Sequence, residues 1–200
     1  GTDYRCSLDH DSAWQLLIAT MLSAQCTDAR VNIVTKELFV KYPDVNAFAD
    51  ADLKELEQDI HSTGFYHNKA KNIIACCQAL SEKYGGEVPH TKEQLTALPG
   101  VGGKTANVIL AVGFGIPALA VDTHVFRVAN RLGLAHTRTP EQTEAALCAL
   151  IPKEKWADAH HWLIWHGRKI CAARHPDCES CPLQGLCEYR QQQSKTLPKA

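Results

Sequence analysis

Apolar residues recur along this chain at the 3.6-residue spacing of a helix face, in one segment after another. Asp11-Ser12 can cap a helix whose apolar positions are Trp14, Leu17, Ile18, Met21 and Leu22. The period returns at Val31, Val34 and Leu38, then at Leu53, Leu56 and Ile60. It returns again at Ala70, Ile73, Ile74, Cys77 and Leu80, where Gly85-Gly86 stops the helix. Thr91-x-x-Gln94 is a capping box, and it opens a short helix ending at Leu98-Pro99-Gly100. The next helix is expected from about Gly102 through Ala106-Asn107-Val108-Ile109-Leu110 to Gly113-Phe114-Gly115. Another begins at Asp122-Thr123 and carries Val125, Phe126, Ala129 and Leu132. Thr139-Pro140-Glu141-Gln142 orders a cap, a Pro at the first helical position and a reciprocal Gln. The final helix covers residues 156–169.

Residues 108–112 and 116–121 are compatible with strands, but they lie beside helix signals and no hairpin turn joins them. The expected fold class is therefore all-α, in two helical lobes, with a Cys-rich end of little regular structure. Gly115-Ile116-Pro117 is the expected boundary between the lobes.

Composition narrows the function classes. The chain has 200 residues, 45% hydrophobic and 22% charged, which suits one large or two small globular domains. No apolar run approaches the roughly 18 residues of a membrane span. No secretory start is visible, and four of the nine cysteines cluster late. A reducing compartment and a metal site are expected, rather than a disulfide framework. The location would be the cytoplasm, in association with the nucleoid, if the source is prokaryotic. At a net charge of −1 the chain does not announce a nucleic-acid binder. Phosphate binding would have to come from a local patch and from backbone N–H groups.

Leu98-Pro99-Gly100-Val101-Gly102-Gly103-Lys104-Thr105 ends like a nucleotide P-loop. The first Gly of that motif, however, should stand where this chain has Leu98, and no strand feeds the loop. Gly100 and Gly102 allow positive φ and a close approach, and N–H groups at the following helix start suit an anion such as a duplex phosphate. An ordinary tight turn between two helices accounts for the same letters. Lys104 reads equally as a surface Lys near a helix start, and Asp122 as a cap. The spacing Cys171-x6-Cys178-x2-Cys181-x5-Cys187 offers four soft ligands, which suit Zn²⁺ and a [4Fe–4S] cluster alike. Cys6, Cys26, Cys76, Cys77 and Cys148 read as small buried hydrophobes.

Leu98-Pro99-Gly100-Val101-Gly102-x-Lys104-Thr105-Ala106, followed by Val121-Asp122-Thr123-His124-Val125-x-Arg127, resembles the helix-hairpin-helix DNA glycosylases. The likeness is to the branch with a C-terminal iron–sulfur cluster. Leu22-Ser23-Ala24-Gln25, Gly64-Phe65-Tyr66 and the terminal cysteines extend it over nearly the whole chain, in the family's order. It implies a bifunctional DNA glycosylase and AP lyase of base excision repair that removes oxidised pyrimidines and then nicks 3′ of the abasic site by β-elimination. The implied partner is double-stranded DNA containing a damaged base or abasic site, met by a monomer with no membrane association.

By the same resemblance, residues 8–116 form a helical-barrel domain holding the hairpin. Residues 1–7 and 117–200 form a second domain carrying a [4Fe–4S] cluster on Cys171, Cys178, Cys181 and Cys187. Lys104 becomes the nucleophile that attacks the sugar C1′ and forms a Schiff base, and Asp122 assists departure of the base. Gln25 and Phe65 fill the gap left by the extruded nucleotide, as chemistry at C1′ requires the base to leave the stack. Gly100, Val101, Gly102, Gly103, His124 and Arg127 contact DNA. Lys69, Lys71 and Arg131 are candidate phosphate partners, and the metal-bound segment presents Arg168, Lys169 and Arg174 to the backbone. An amine with an ordinary pKa of about 10.4 is neutral in fewer than roughly 1 in 1,000 molecules at pH 7, so Lys104 is expected to be desolvated once DNA is bound.

Two positions depart from the family. Phe65 stands where a smaller aliphatic residue is common, and Gly103 where many relatives carry a basic residue. Two other readings compete: the related adenine-specific mismatch glycosylases, which usually lack this Lys, and a non-catalytic DNA-binding module with a structural zinc.

Overall fold

The computed structural model describes residues 7–196, in which every regular element is helical and none is a strand. The chain separates into two compact units after Ile116. The first holds α1 (Ala13–Leu22), α2 (Asp28–Lys41), α3 (Val45–Ala49), α4 (Leu53–Asp59), α5 (Tyr66–Tyr84), α6 (Lys92–Thr96) and α7 (Gly103–Val108). The second holds α8 (Thr123–Leu132), α9 (Pro140–Leu150), α10 (Trp156–Lys169) and α11 (Glu188–Thr196).

Caps set where the helices begin. Ser12, Thr27, Asp44, Asp52, Thr91, Asp122 and Thr139 each accept a backbone N–H of the helix they open, a contact that contributes about 1 kcal/mol. Gly85 (φ 61°) and Gly133 (φ 86°) close α5 and α8 in the left-handed conformation.

In the first unit α1 is not the one-faced helix that its pattern suggests. Residues 16–22 are all buried, because α2, α5, α7 and the turn that follows α7 enclose it. Trp14, Phe39, Phe48 and Tyr42 form an aromatic cluster at its start, with ring centroids 4.9–6.4 Å apart. α5 buries Ala70, Ile73, Cys76, Cys77 and Leu80 as expected, whereas Ile74 is half-buried. Ser7 belongs to this unit, since its carbonyl accepts from Asn32 Nδ2 at 2.8 Å; residues 1–6, expected in the second lobe, and Cys6 lie outside the described residues.

Residues 108–112 are helical rather than extended. α7 loosens into a π-turn over Ile109–Gly113, closed where Ile116 N donates to Leu110 O at 2.8 Å. Residues 116–121 form no regular element and pair with no strand.

The second unit packs Leu119, Val121, Val125, Val128, Ala129, Leu147 and Leu163 into one core. It also corrects the expected irregular end, because α11 follows the last cysteine. α11 is polar all round and left no apolar period to find. It is held instead by His136–Glu188 at 2.8 Å and by Arg131 stacked 4.6 Å from the Tyr189 ring centroid.

The turn from α6 to α7 is tight at one glycine and open at the next. At Gly100 (φ 74°) a Cβ would fall 2.8 Å from Asn72 Cβ and 2.9 Å from Met21 Cε. Gly102 (φ −92°) has nothing within 4 Å of that position. Gly100→Ala therefore combines left-handed strain with a clash. It should lower unfolding free energy by about 2–4 kcal/mol in urea titration, against about 1 kcal/mol or less for Gly102→Ala. Burial pushes the Cys76 thiol up to about 12, and Cys77 is raised further by burial and by Cys76. Neither should react with a thiol reagent at neutral pH until the chain unfolds, as peptide mapping of the labelled protein will show.

Candidate active site and nucleic-acid interface

Gly102 caps α7 by backbone alone. No side chain accepts from its first turn and no acidic residue lies there. The N–H groups of that turn precede the first intrahelical bond, Ala106 N to Gly102 O at 2.9 Å, and the helix start carries positive partial charge. Leu98 and Val101 are buried and pin the turn, while Gly102 and Lys104 are exposed. Gly103 brings no side chain of its own, although Lys92 Cε lies 4.0 Å from where its Cβ would be.

Two loops in the same unit carry Gln25 and Phe65. Gln25 (φ 55°) and Phe65 (φ 50°) are the only non-glycine residues with positive φ among the described residues. Such a conformation costs of order 1–3 kcal/mol and persists where surrounding structure imposes it. Both side chains are exposed, Phe65 at 63%. Gly64 (φ 71°) precedes Phe65, and the adjacent Tyr66 ring lies tilted 4.4 Å from the His61 ring and 4.2 Å from the His67 ring. Nothing in the letters beyond Gly64 signalled these backbone conformations.

Among the cations, Lys71, Arg168, Lys169 and Arg174 are exposed and able to meet phosphate. Lys69 is not. It is 6% exposed, and its ammonium donates to Leu22 O at 2.8 Å and Thr63 O at 2.9 Å. Its pKa is lowered by burial, with the Cys26 thiol acting the other way. The expected phosphate contact gives way to an internal one.

In the second unit Asp122 caps α8. Its Oδ1 accepts from His124 N at 2.9 Å and Val125 N at 2.8 Å, which leaves Oδ2 outside both bonds. Arg127 Nη2 lies 3.2 Å from His124 Nδ1. A guanidinium only donates, so Nδ1 accepts and the imidazole proton sits on Nε2. Arg127 otherwise serves the fold: Nε and Nη2 donate to Cys171 O, and Nη2 donates also to Gly167 O at 2.9 Å. Arg131 likewise donates to Ala172 O and Ala173 O, each at 2.8 Å. Both arginines, expected at phosphates, are spent on carbonyls around the cysteine loop.

None of Cys171, Cys178, Cys181 and Cys187 forms a disulfide. Arg131 Nη1 donates to Cys171 Sγ at 3.4 Å, and Cys181 Sγ lies 3.7 Å from His166 Nε2. Burial raises the Cys178 pKa, Arg190 lowers it, and Cys171, Cys187 and Cys181 add to the rise, so those three cysteines are within electrostatic reach of Cys178. Among the described residues no three His, Cys, Asp or Glu side chains stand at metal-holding geometry. The donor chemistry nonetheless fits a soft centre: four unoxidised thiols with cations beside them. No helix of the described residues is long and apolar enough to cross a membrane.

Residues 18–153 match the model of the HhH-GPD superfamily base excision DNA repair proteins. Endonuclease III of Synechocystis is 53% identical over 187 residues, covering 93% of this chain and 85% of that protein. Endonuclease III of Bacillus subtilis is 49% identical, covering 95% and 87%. A protein solved as a trapped endonuclease III–DNA covalent intermediate with an estranged adenine superposes at TM-score 0.90 and 50% identity, over 96% of this chain and 91% of that one. Similarity of that extent in sequence and fold leaves one assignment: the chain belongs to the endonuclease III family, base excision repair DNA glycosylases with AP-lyase activity.

Proposed function

We propose that Lys104 is the nucleophile of this chain's glycosylase and lyase reactions. One observation carries the reading. Lys104 is an exposed amine in the first turn of α7, behind a glycine turn, and that first turn holds no acidic residue to oppose an anion. The neighbour solved as a covalent DNA intermediate supports it, since such a bond needs a nucleophile on the protein.

In this reading the Gly100–Val101–Gly102–Gly103 turn holds a phosphate of the damaged strand through backbone N–H groups. The His124 Nε2–H faces DNA as a donor. Gln25 and Phe65 enter the stack from which a damaged pyrimidine is extruded. Lys104 Nζ attacks C1′ and the C1′–N bond to the base breaks, the base leaving with a proton. The sugar ring then opens, the C1′–O4′ bond breaking as O4′ takes a proton given up by Nζ, and the C1′=N Schiff base so formed acidifies the C2′ proton, whose loss expels the 3′ phosphate. Water then releases the amine. Attack requires a neutral amine, and DNA closing over Lys104 removes the water that stabilises an ammonium. Asp122 offsets the positive charge that develops on the sugar. A carboxylate about 4 Å from such a charge contributes on the order of 4 kcal/mol at an effective dielectric near 20, roughly a thousandfold in rate. Its caps fix Oδ1 in advance, so little reorganisation is needed.

Cys171, Cys178, Cys181 and Cys187 would hold a [4Fe–4S] cluster, as their 6-2-5 spacing does elsewhere in the family. When bound, the cluster would supply folding free energy to a loop that presents Arg168, Lys169 and Arg174 to the DNA backbone. The first unit is then the helical-barrel domain and the second the cluster domain of a monomer that works in the cytoplasm at the nucleoid.

Borohydride should trap the wild-type protein on abasic DNA as a covalent adduct resolved by denaturing electrophoresis. Lys104→Gln should give none, and trapping that survives the change would remove Lys104 from this role. The purified protein should be brown, with visible absorption and about four irons per chain by elemental analysis. Colourless, zinc-loaded protein would overturn the cluster assignment.

A further inference from the structure

Lys69 is a charged side chain buried in the first unit, and its contacts connect two loops far apart in sequence. Leu22 is the last residue of α1, and Thr63 ends the short 3-10 turn His61–Thr63. Both carbonyls sit at C-terminal ends, where the local dipole favours a cation. Three residues beyond Leu22 stands Gln25, and two beyond Thr63 stands Phe65, the two residues held in left-handed backbone. The Lys69 main chain joins the same arrangement, its N–H donating to Phe65 O at 3.1 Å. Thr63 is itself fixed, with its hydroxyl donating to Ile60 O at 2.8 Å.

Packing does not account for this choice. Burying an ammonium carries a desolvation cost that a well-packed apolar side chain of similar volume avoids, so the charge is a poor stabiliser for its own sake. Its two short bonds instead fix where two loop bases stand relative to each other. The loops emerge on either side of one ammonium, and their exposed tips are left to be placed by it.

We propose that Lys69 is a positioning residue for duplex opening: by tying Leu22 O to Thr63 O it sets Gln25 and Phe65 at the spacing needed to occupy the gap behind an extruded nucleotide. The inference rests on the gap-filling role proposed above for Gln25 and Phe65. Lys69 touches neither DNA nor the reacting sugar, and the amine chemistry of Lys104 proceeds without it once the nucleotide is out.

Two abasic substrates separate these effects. One is a full duplex; the other is a duplex lacking the nucleotide that faces the abasic site, so that no estranged base remains to be held. Single-turnover nicking is measured on both for Lys69→Met and Lys69→Gln, with folding checked by circular dichroism. The ratio of full-duplex to gapped-duplex rates should fall about tenfold or more in Lys69→Met. It should fall less in Lys69→Gln, whose shorter side chain keeps an uncharged N–H donor group, and which serves alone if the Met variant does not fold. Fluorescence of 2-aminopurine placed opposite the site should report lost unstacking in the same variants. An unchanged ratio in the folded variants, whether both rates hold or both drop together, overturns the proposal. Gln25→Ala and Phe65→Ala serve as the reference. If they leave the ratio unchanged, the gap-filling reading fails; if they lower it while Lys69→Met does not, only the role of Lys69 fails.

Discussion

Enclosure of the C-terminal half of α1 is the constraint from which the candidate site takes its shape. Residues 16–22 are no more than 8% exposed. Burial of Leu16, Leu17, Ile18, Met21 and Leu22 contributes on the order of 10 kcal/mol before chain entropy is counted. A helix held that firmly is a reference point for what touches it. Met21 lies against the turn at Gly100, and the Leu22 carbonyl anchors the Lys69 ammonium. Ser23 closes α1 just ahead of Gln25. The hairpin turn and the two left-handed loops therefore share one rigid support, so function lies on loops while precision comes from the helix beneath them.

Caps and glycines were the most legible part of the chain. Ser12, Thr91, Asp122 and Thr139 open helices where the letters placed them, because a short side chain reaching a backbone N–H is a local event. The candidate chemistry was legible for another reason, its dense motifs. What stayed hidden was non-local. α3 is only five residues long, α11 has no apolar face, and the full burial of α1 depends on which helices surround it. Lys69, Arg127 and Arg131 were expected to face phosphate because a basic residue on a helix usually faces water. Their carbonyl partners are up to 47 residues away in sequence, and no periodicity encodes that.

Charge across the molecule repeats this division between local and global. The net charge of −1 gives no long-range attraction to DNA, so recognition falls to short-range geometry, for which the start of α7 and a few exposed cations are available. Meanwhile Arg127 and Arg131 hold the cysteine loop from inside, with Arg131 reaching both Cys171 Sγ and the carbonyls after it. The same two arginines that are lost to phosphate thus shape the loop that carries the cysteines.

Phe65 brings these strands together, since its position is unfavourable twice over in the protein alone. Left-handed backbone costs a side chain roughly 1–2 kcal/mol, and a ring left 63% exposed forgoes the hydrophobic gain it could make. The adjoining turn, with Gly64, the tilted His61–Tyr66 ring pair and Thr63 tied to Lys69, imposes the conformation against both preferences. Neither cost is recovered within the described fold. In the gap-filling role proposed for it, a Phe ring inserted into a base step would regain about 1–3 kcal/mol of stacking per base, comparable to the few kcal/mol that nucleotide extrusion requires. In that role the strain at residue 65 is the part of the extrusion cost that the protein meets during its own folding.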